Sequence, residues 1–422
     1  MKVFRILYIH HAHGFDGSSK SMLTLISKLD PKRYEATVLI AHKNCEPLLS
    51  FIRSMGLPAI HLPLNLVHDA NWLSLLNLNT RAFLAFKWDK KLAKVFESVK
   101  PDIVHINEHI PISAGYTAKQ LKLPIVWHFR HVFLKTTPCI STKRWVVSTI
   151  LKLASKVICI SEPEADQFPT GKVDIVFNPL DFSAMDTARG QGSMVRAELQ
   201  VEPDAYVVTA PIPLMETKGA WDFIEACGLA LQLAPGLKFK FLIVGSIPSV
   251  GRRHVIRRYT RILGPREPLK IARDLIRIHK LEKSLLITGH RKDIYNVMDA
   301  SDLIVFPTRT KTTGRPGFEA GGMRRPVIVT MPNTATRVVL DGITGLITPE
   351  RNPRALAEGI VKLAKNRELG RMLGVNGHQH VRENFDSTNH ACKVMQIYDE
   401  VLANRVGWGS IDDGRSGSHL KQ

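Results

Sequence analysis

The feature that most constrains this chain is an alternation of short β-branched runs with helical patterns, which occurs twice along its 422 residues. In the first half, apolar runs stand at RILYIHH (5–11), YEATVLIA (34–41), PDIVHIN (101–107), PIVWHFR (124–130), KVICIS (156–161) and KVDIVFN (172–178). Met22, Leu25, Ile26 and Leu29 follow the first of these at helical spacing. Strand and helix in alternation predict a mostly parallel sheet covered on both faces. The pattern pauses between Pro179 and Asp204, where Gly190, Gly192, Pro203 and scattered charges break the periodicity. A second series follows: YVVTAPI (206–212), a helix from Lys218 to Leu233, FKFLIVG (239–245), SLLITG (284–289), DLIVFP (302–307) and PVIVT (326–330).

Two α/β units in tandem are therefore expected, and at about 150 residues per domain the length accommodates two or three. The first is placed at 1–185, a linker at 186–204 and the second unit at 205–385. A last helix at 386–405 has Ala391, Val394, Met395, Tyr398, Val401 and Leu402 on one face, and the polar stretch 406–422 is expected to be disordered. Ligands of open parallel sheets bind at the carboxyl ends of the strands, so site residues are sought there.

Composition excludes some classes. Lys plus Arg exceed Asp plus Glu by 58 to 38, a net charge of +20 that favours an anionic partner: a phosphate ligand, an acidic lipid surface or nucleic acid. Five cysteines, odd in number and without a C-x-x-C pair, suggest neither a disulfide framework nor a zinc site, and a reducing compartment fits best. The run Ile6 to Ile9 is too short for a signal-peptide core. No run approaches the roughly 20 apolar residues that cross a bilayer, so any membrane association is expected to be peripheral.

Four segments carry candidate chemistry. In TTGRPGFEAGGMRRPVIV (312–329), Gly314 and Gly317 precede a short helix expected to begin near Phe318, whose first amides are suited to a phosphate. Glu319, one turn in, either complements the positive helix end or accepts hydroxyl hydrogens from a ribose; taken alone, capping is the commoner role. Thr217-Lys218-Gly219 opens a helix with a cation, which the helix dipole disfavours; the side chain is either a solvated lysine or the partner of an anion such as a diphosphate. The loop His13-Gly14-Phe15-Asp16-Gly17-Ser18-Ser19-Lys20 joins the first strand to the first helix and permits close backbone approach, without the spacing of a dinucleotide site. His128, near the end of the fifth strand, is either a core histidine or a group facing a ligand. His10, His11, His13, His105 and His109 also gather near strand ends but lack metal-ligand spacing.

Two basic features accompany these. Lys87, Lys90, Lys91 and Lys94 lie opposite Leu84, Trp88, Leu92 and Phe96, the pattern of a surface helix with a solvated face and, less often, of a membrane-surface element. Arg252, Arg253, Arg257, Arg258 and Arg261 form a second basic stretch, with no nucleic-acid motif beside it.

The order of these segments is more specific than any one of them. A Gly loop, PDIVH, VWHFR, ICIS, FNPLD, a KG helix start, LIVG, ITGH, ASDLIVFP, GRPGFEAG, RRPVIV and DGITGLITP follow one another, and the series resembles the retaining glycosyltransferases of family 4 across residues 5 to 400. The resemblance implies the GT-B fold, α/β with two facing Rossmann-like domains, parallel sheets and a crossover helix returning to the first domain. Glu319 matches the second glutamate of the family's E-x7-E motif and would hold the ribose of a nucleotide sugar. Gly314, Arg315 and Pro316 match the stretch touching the diphosphate, Lys218 the lysine that neutralises it, Gly17 a donor contact from the first domain, and His128 the cleft histidine near the transferred sugar. Lys311 stands where the family has its first glutamate, and Ile212, Pro213 and Leu214 replace its G-R-L; Arg315 is a candidate substitute for that arginine.

The implied activity is transfer of a sugar from a nucleotide-diphosphate sugar, with retention, to a cell-envelope glycan or lipid-linked acceptor. Lys218 and His128 would be the catalytic groups, and no metal or other cofactor is expected. The place implied is the cytoplasm, at the inner membrane face where anionic lipid is met. A non-catalytic GT-B protein binding a nucleotide or glycan is the alternative that Lys311 and Pro213 favour. Nucleic-acid binding is favoured by charge alone and is not expected.

Overall fold

The computed structural model describes residues 2–12, 14–64, 89–133, 140–169, 172–248, 267–310, 314–331 and 337–409. Two compact units divide the chain, one made of Met1–Pro179 with Ser387–Gln422 and the other of Leu180–Asp386.

The first unit is built on a seven-stranded parallel sheet in the order β3-β2-β1-β4-β5-β6-β7. Its strands are β1 (Phe4–His10), β2 (Tyr34–Ile40), β3 (Ala59–His61), β4 (Ile103–Asn107), β5 (Ile125–Phe129), β6 (Lys156–Cys159) and β7 (Val173–Ile175). Successive side chains of a strand point to opposite faces, and here both faces are covered. Ile6, Tyr8, Val38, Ile40, Ile103, Val126 and Ile158 pack against Met22 and Leu25 of the helix Gly17–Ser27. On the other face Leu7, Ile9, Val104, Ile106, Trp127 and Val157 meet the helices Lys90–Val99, Ile112–Gln120 and Ile140–Leu153. Each side chain so buried contributes about 1.5–3 kcal/mol relative to exposure, which is why the strands read as unbroken apolar runs.

The helix Ser387–Gly409 belongs to this unit although the chain reaches it last. Ala391, Val394, Tyr398, Val401 and Leu402 join the first of the two apolar layers. The Tyr398 hydroxyl lies 2.8 Å from that of Tyr8 and 2.7 Å from Nδ1 of His105, while Asp399 accepts from Arg33 and Tyr34 at 2.6 and 2.5 Å. Of the expected tail, 406–409 continue this helix and the remainder lies outside the described residues.

The second unit has a six-stranded parallel sheet in the order β10-β9-β8-β11-β12-β13. The strands are β8 (Tyr206–Ala210), β9 (Phe239–Val244), β10 (Leu285–Gly289), β11 (Leu303–Phe306), β12 (Val327–Thr330) and β13 (Leu346–Thr348). It begins earlier than the sequence suggests. The segment 186–204 is no linker: the helices Phe182–Ala188 and Gly192–Glu198 are part of this unit, and Val195 packs against Val207, Leu242, Val244, Val297 and Ala300. The glycines that looked like breakers are docking points. Asp299 Oδ2 accepts the amides of Gly190 and Gly192 at 2.8 Å each, and a Cβ on Gly192 would stand 2.5 Å from the carbonyl carbon of Asp299.

The basic helix forms as Lys90–Val99, with Lys90, Lys91 and Lys94 exposed and Leu92 and Phe96 buried; Leu84, Lys87, Trp88 and the arginines 252–261 lie outside the described residues. No helix among the described residues is long and apolar enough to cross a membrane.

Candidate functional site

The strand order of the second unit places β8 at its centre, with β9 and β10 added on one side and β11 to β13 on the other. Chains leaving the carboxyl ends of β8 and β11 therefore part in opposite directions, and the crevice this creates is where open α/β sheets bind ligands. Lys218 follows β8 and the Gly314–Glu319 segment follows β11.

After β8 the chain turns through Ile212, Pro213 and Leu214, with Ile212 and Leu214 buried and the Leu214 amide bonded to Ser246 O at 3.0 Å. The turn Glu216–Lys218 comes next, and the helix begins only at Ala220, two residues later than the sequence indicates. Gly219 is the cause. Its φ of +74° closes the turn, and a Cβ there would lie 1.5 Å from the carbonyl oxygen of Pro307 at the end of β11. Any other residue would separate the two strand ends. Lys218 thus precedes the helix instead of opening it. The side chain is half-buried, has no hydrogen-bond or ion-pair partner among the described residues, and is pushed below the usual lysine pKa by burial.

Arg309, which the sequence reading passed over, ties this turn to β11. Its amide donates to Thr217 O at 3.1 Å. Its guanidinium meets both oxygens of buried Asp222 at 2.7 and 2.6 Å and Glu216 at 2.6 Å.

After β11, the helix expected near Phe318 begins at Arg315 and runs to Gly322, with Gly314 as its N-cap. Proline suits the first turn because it has no amide to leave unbonded, and this is what the periodicity missed. Gly314 serves packing: a Cβ there would lie 2.4 Å from the Phe306 ring. Among the first amides, Pro316 has none and that of Gly317 is taken by Gly314 O at 3.0 Å. The earlier start also moves Glu319 past the first turn, so it does not cap the helix. Glu319 is 6% exposed, and its Oε1 accepts from Arg315 Nε at 2.9 Å and from the Tyr295 hydroxyl at 3.2 Å. Arg315, proposed from sequence as a substitute diphosphate arginine, turns back along its own helix to this carboxylate and lies over the Phe318 ring. Burial and the neighbouring Glu319 raise the Tyr295 hydroxyl above the ordinary tyrosine range. Tyr295 comes from the helix Ile294–Ala300, and no sequence signal singled it out. Lys311 lies outside the described residues.

In the first unit, Gly17 is the exposed first residue of its helix, behind the N-cap Asp16, whose Oδ1 accepts the Ser19 amide and the Ser18 hydroxyl at 2.7 Å each. Ser19 Oγ donates to Gly14 O at 2.8 Å and lies 2.9 Å from His10 Nε2; His10 Nδ1 faces Asn107 Nδ2 at 2.9 Å, and Asn107 Oδ1 accepts Arg130 Nε at 2.8 Å. This buried chain of contacts fixes the glycine loop at the carboxyl ends of β1, β4 and β5. Of the other strand-end histidines, His13 lies outside the described residues and His109 bonds Glu108 Oε2 at 3.3 Å. No three His, Cys, Asp or Glu side chains stand together as metal ligands among the described residues.

His128 is buried within the first unit. It sits one residue before the end of β5 with no exposed surface, 5.4 Å from the His105 ring and stacked 6.2 Å from His390 of the last helix. Burial, with the Arg130 charge next, holds its pKa well below the usual value, so it is neutral. Of the two sequence readings the structure favours the core histidine, because strand position alone does not reveal that the last helix covers this face.

Two family models match the chain in tandem: "Glycosyltransferase Family 4" over residues 15–183 and "Glycosyl transferases group 1" over residues 206–366. The chain is 22% identical over 405 residues to the Escherichia coli UDP-Gal:alpha-D-GlcNAc-diphosphoundecaprenol alpha-1,3-galactosyltransferase, covering 89% of this chain and 100% of that one. It is 31% identical over 204 residues to the Staphylococcus aureus capsular polysaccharide biosynthesis glycosyltransferase CapM, 48% of each chain. Among solved structures, Anabaena HepE in complex with UDP and glucose superposes with a TM-score of 0.75 at 19% identity, over 94% of this chain and 99% of that one. A glycosyltransferase from Rickettsia africae gives 0.74 at 20% identity, over 96% and 100%. With the two halves of the chain each matched by a glycosyltransferase model and two parallel Rossmann-like sheets in place, this chain is a glycosyltransferase of the GT-B fold and belongs with the family 4-like glycosyltransferases.

Proposed function

We propose that the chain transfers a sugar, with retention of configuration, from a nucleotide-diphosphate sugar to a cell-envelope glycan or lipid-linked acceptor. The observation that carries this reading is Lys218: a half-buried ammonium without a described partner, at the end of the central strand β8 and beside its switch point to β11. A cation in that setting favours a multiply charged anion, and a diphosphate supplies one.

In this reading Lys218 neutralises the diphosphate and Glu319 accepts the ribose hydroxyls, its direction fixed by Arg315 and Tyr295. Gly314, Arg315 and Pro316 form the edge along which the phosphates lie. As the bond from the sugar to the diphosphate breaks, negative charge gathers on the leaving oxygen. A cation already in place lowers the barrier by meeting that charge without reorganisation. The incoming hydroxyl gives its proton to the leaving phosphate, and the scheme calls for no metal. His128 takes no part; it is a core residue.

The acceptor class is supported by the relatives, one acting on a diphosphoundecaprenol-linked sugar and one in capsular polysaccharide biosynthesis. A net charge of +20 suits contact with anionic lipid, and we place the protein at the inner face of the cytoplasmic membrane. The test is a panel of UDP-, GDP- and ADP-sugars assayed with wild type, K218A and E319A, with the anomeric configuration of the product read by NMR. Both variants should lose at least ten-fold in kcat/KM; unchanged transfer from every donor would overturn the site, and an inverted product would overturn retention.

A further inference from the structure

Lys218 is carried by a segment with little to hold it. The turn Glu216–Lys218 buries none of its residues, and Met215, Glu216 and Thr217 are exposed. What fixes it comes from the other side of the switch point. Pro307 O abuts Gly219, the Arg309 amide bonds Thr217 O, and the Arg309 guanidinium spans Asp222 and Glu216. These two carboxylates flank Lys218 in sequence, two residues before it and four after it, and both are engaged by Arg309. The planar fork of arginine matches both oxygens of Asp222, which a lysine at this position would not.

We propose that Arg309 is a positioning residue for Lys218: it clamps the turn against β11 and occupies Glu216 and Asp222, so that the Lys218 ammonium is left to a diphosphate. This rests on the assignment of Lys218 to the donor phosphates made above. Arg309 itself has only 15% of its side chain exposed and points into the clamp, so it acts through the lysine and not on the ligand. When Arg309 is removed, the turn loosens and the released carboxylates capture the lysine.

The test is a double-mutant cycle of R309M and K218M, read by isothermal titration with UDP, GDP and ADP, using whichever binds tightest to wild type, and with the corresponding nucleoside. R309M should weaken the diphosphate about ten-fold and leave the nucleoside unchanged. In the K218M background R309M should weaken the diphosphate no further, because its effect runs through the lysine. R309K, which keeps a cation beside Asp222 and loses the fork, should weaken it three- to ten-fold with a melting temperature near that of wild type; this variant decides the matter if R309M does not fold. Additive losses in the double variant, an equal loss for the nucleoside, or wild-type affinity in R309K would overturn the proposal. If K218M alone binds the diphosphate like wild type, the donor-site reading fails instead, whatever R309M does.

Discussion

The Tyr295 hydroxyl and the Arg315 guanidinium donate to the same oxygen of Glu319, Oε1, from two different helices. Such a carboxylate has one direction, and that direction is set before any ligand arrives. Hydrogen bonds to a charged group contribute about 1.5–3 kcal/mol, so E319A should weaken nucleoside diphosphate binding by about 10- to 100-fold. Y295F removes one neutral donor and should cost about three- to ten-fold, with stability changed by no more than about 1 kcal/mol. Titration of both variants checks this, and wild-type affinity in E319A would remove Glu319 from the site.

Gly219 and Gly190 both have positive φ, +74° and +87°, but a Cβ on Gly219 would strike Pro307 O at 1.5 Å while one on Gly190 meets nothing within 4 Å. The two positions separate backbone conformation from close approach. G190A should cost about 1 kcal/mol, the penalty of the left-handed region alone. G219A must also push β8 and β11 apart and should cost more than about 3 kcal/mol, together with diphosphate affinity. Chemical denaturation of both variants measures the difference, and equal losses would mean that the Gly219 contact relaxes freely.

Why the alternation was legible and the site only partly so follows from the kinds of force involved. Strands such as Leu303–Phe306 and Val327–Thr330 are buried on both faces, and that demand is written locally as apolar residues. Lys218 and Glu319 stood out because a cation at a helix start and an acid after a glycine-rich turn conflict with local preference or exceed what it requires. Tyr295, Arg309 and Asp222 left no such mark, since their roles arise from contacts between segments 24 and 87 residues apart. The misread linker has the same origin. Gly190 and Gly192 look like breakers until the Asp299 carboxylate is seen accepting both amides and its backbone is seen against Gly192, and His128 stays open between two readings in the sequence because the helix covering it lies more than 250 residues away.

Burial, with the His11 charge next, pushes His10 down to about 3; burial, with the Arg130 charge next, does the same to His390. His105 and His128 are likewise held well below their ordinary value by burial. Between pH 6.5 and 3 the unfolded chain therefore binds protons that the native one refuses, and stability falls as pH drops through that window. Glu164 works the other way. Burial raises it to about 7, so its native carboxyl stays protonated where the unfolded one ionises, and its contribution falls as pH rises from 4.5 to 7. Four imidazoles against one carboxyl make the first unit acid-labile overall. Denaturation midpoints should drop from pH 7.5 to 5.0, with the slope reduced in H390Q by about 1 kcal/mol per pH unit. E164Q should gain stability at pH 8 and little at pH 5. A profile identical in H390Q and wild type would mean that His390 is already charged in the native protein.

Tyr398 closes the first unit. It is fully buried, and its hydroxyl meets Tyr8 at 2.8 Å and His105 Nδ1 at 2.7 Å, so the last helix is attached by a polar contact within an apolar layer. Removing that hydroxyl leaves a buried Tyr8 hydroxyl and a buried ring nitrogen short of a partner, a cost of about 1–3 kcal/mol. Y398F should therefore destabilise the unit by that amount, and Y398A, which also opens a cavity, by about 3–5 kcal/mol. Asp399 is the internal contrast. Its bonds to Arg33 and Tyr34 are half-exposed, and D399N should cost less than about 1 kcal/mol. Hydrogen exchange resolves where the loss falls: protection should decrease in β1, β4 and the last helix of Y398F and stay unchanged in β8. Equal loss of protection in β8 would mean that the two units unfold as one, and that the helix Ser387–Gly409 stabilises more than the unit into which it packs.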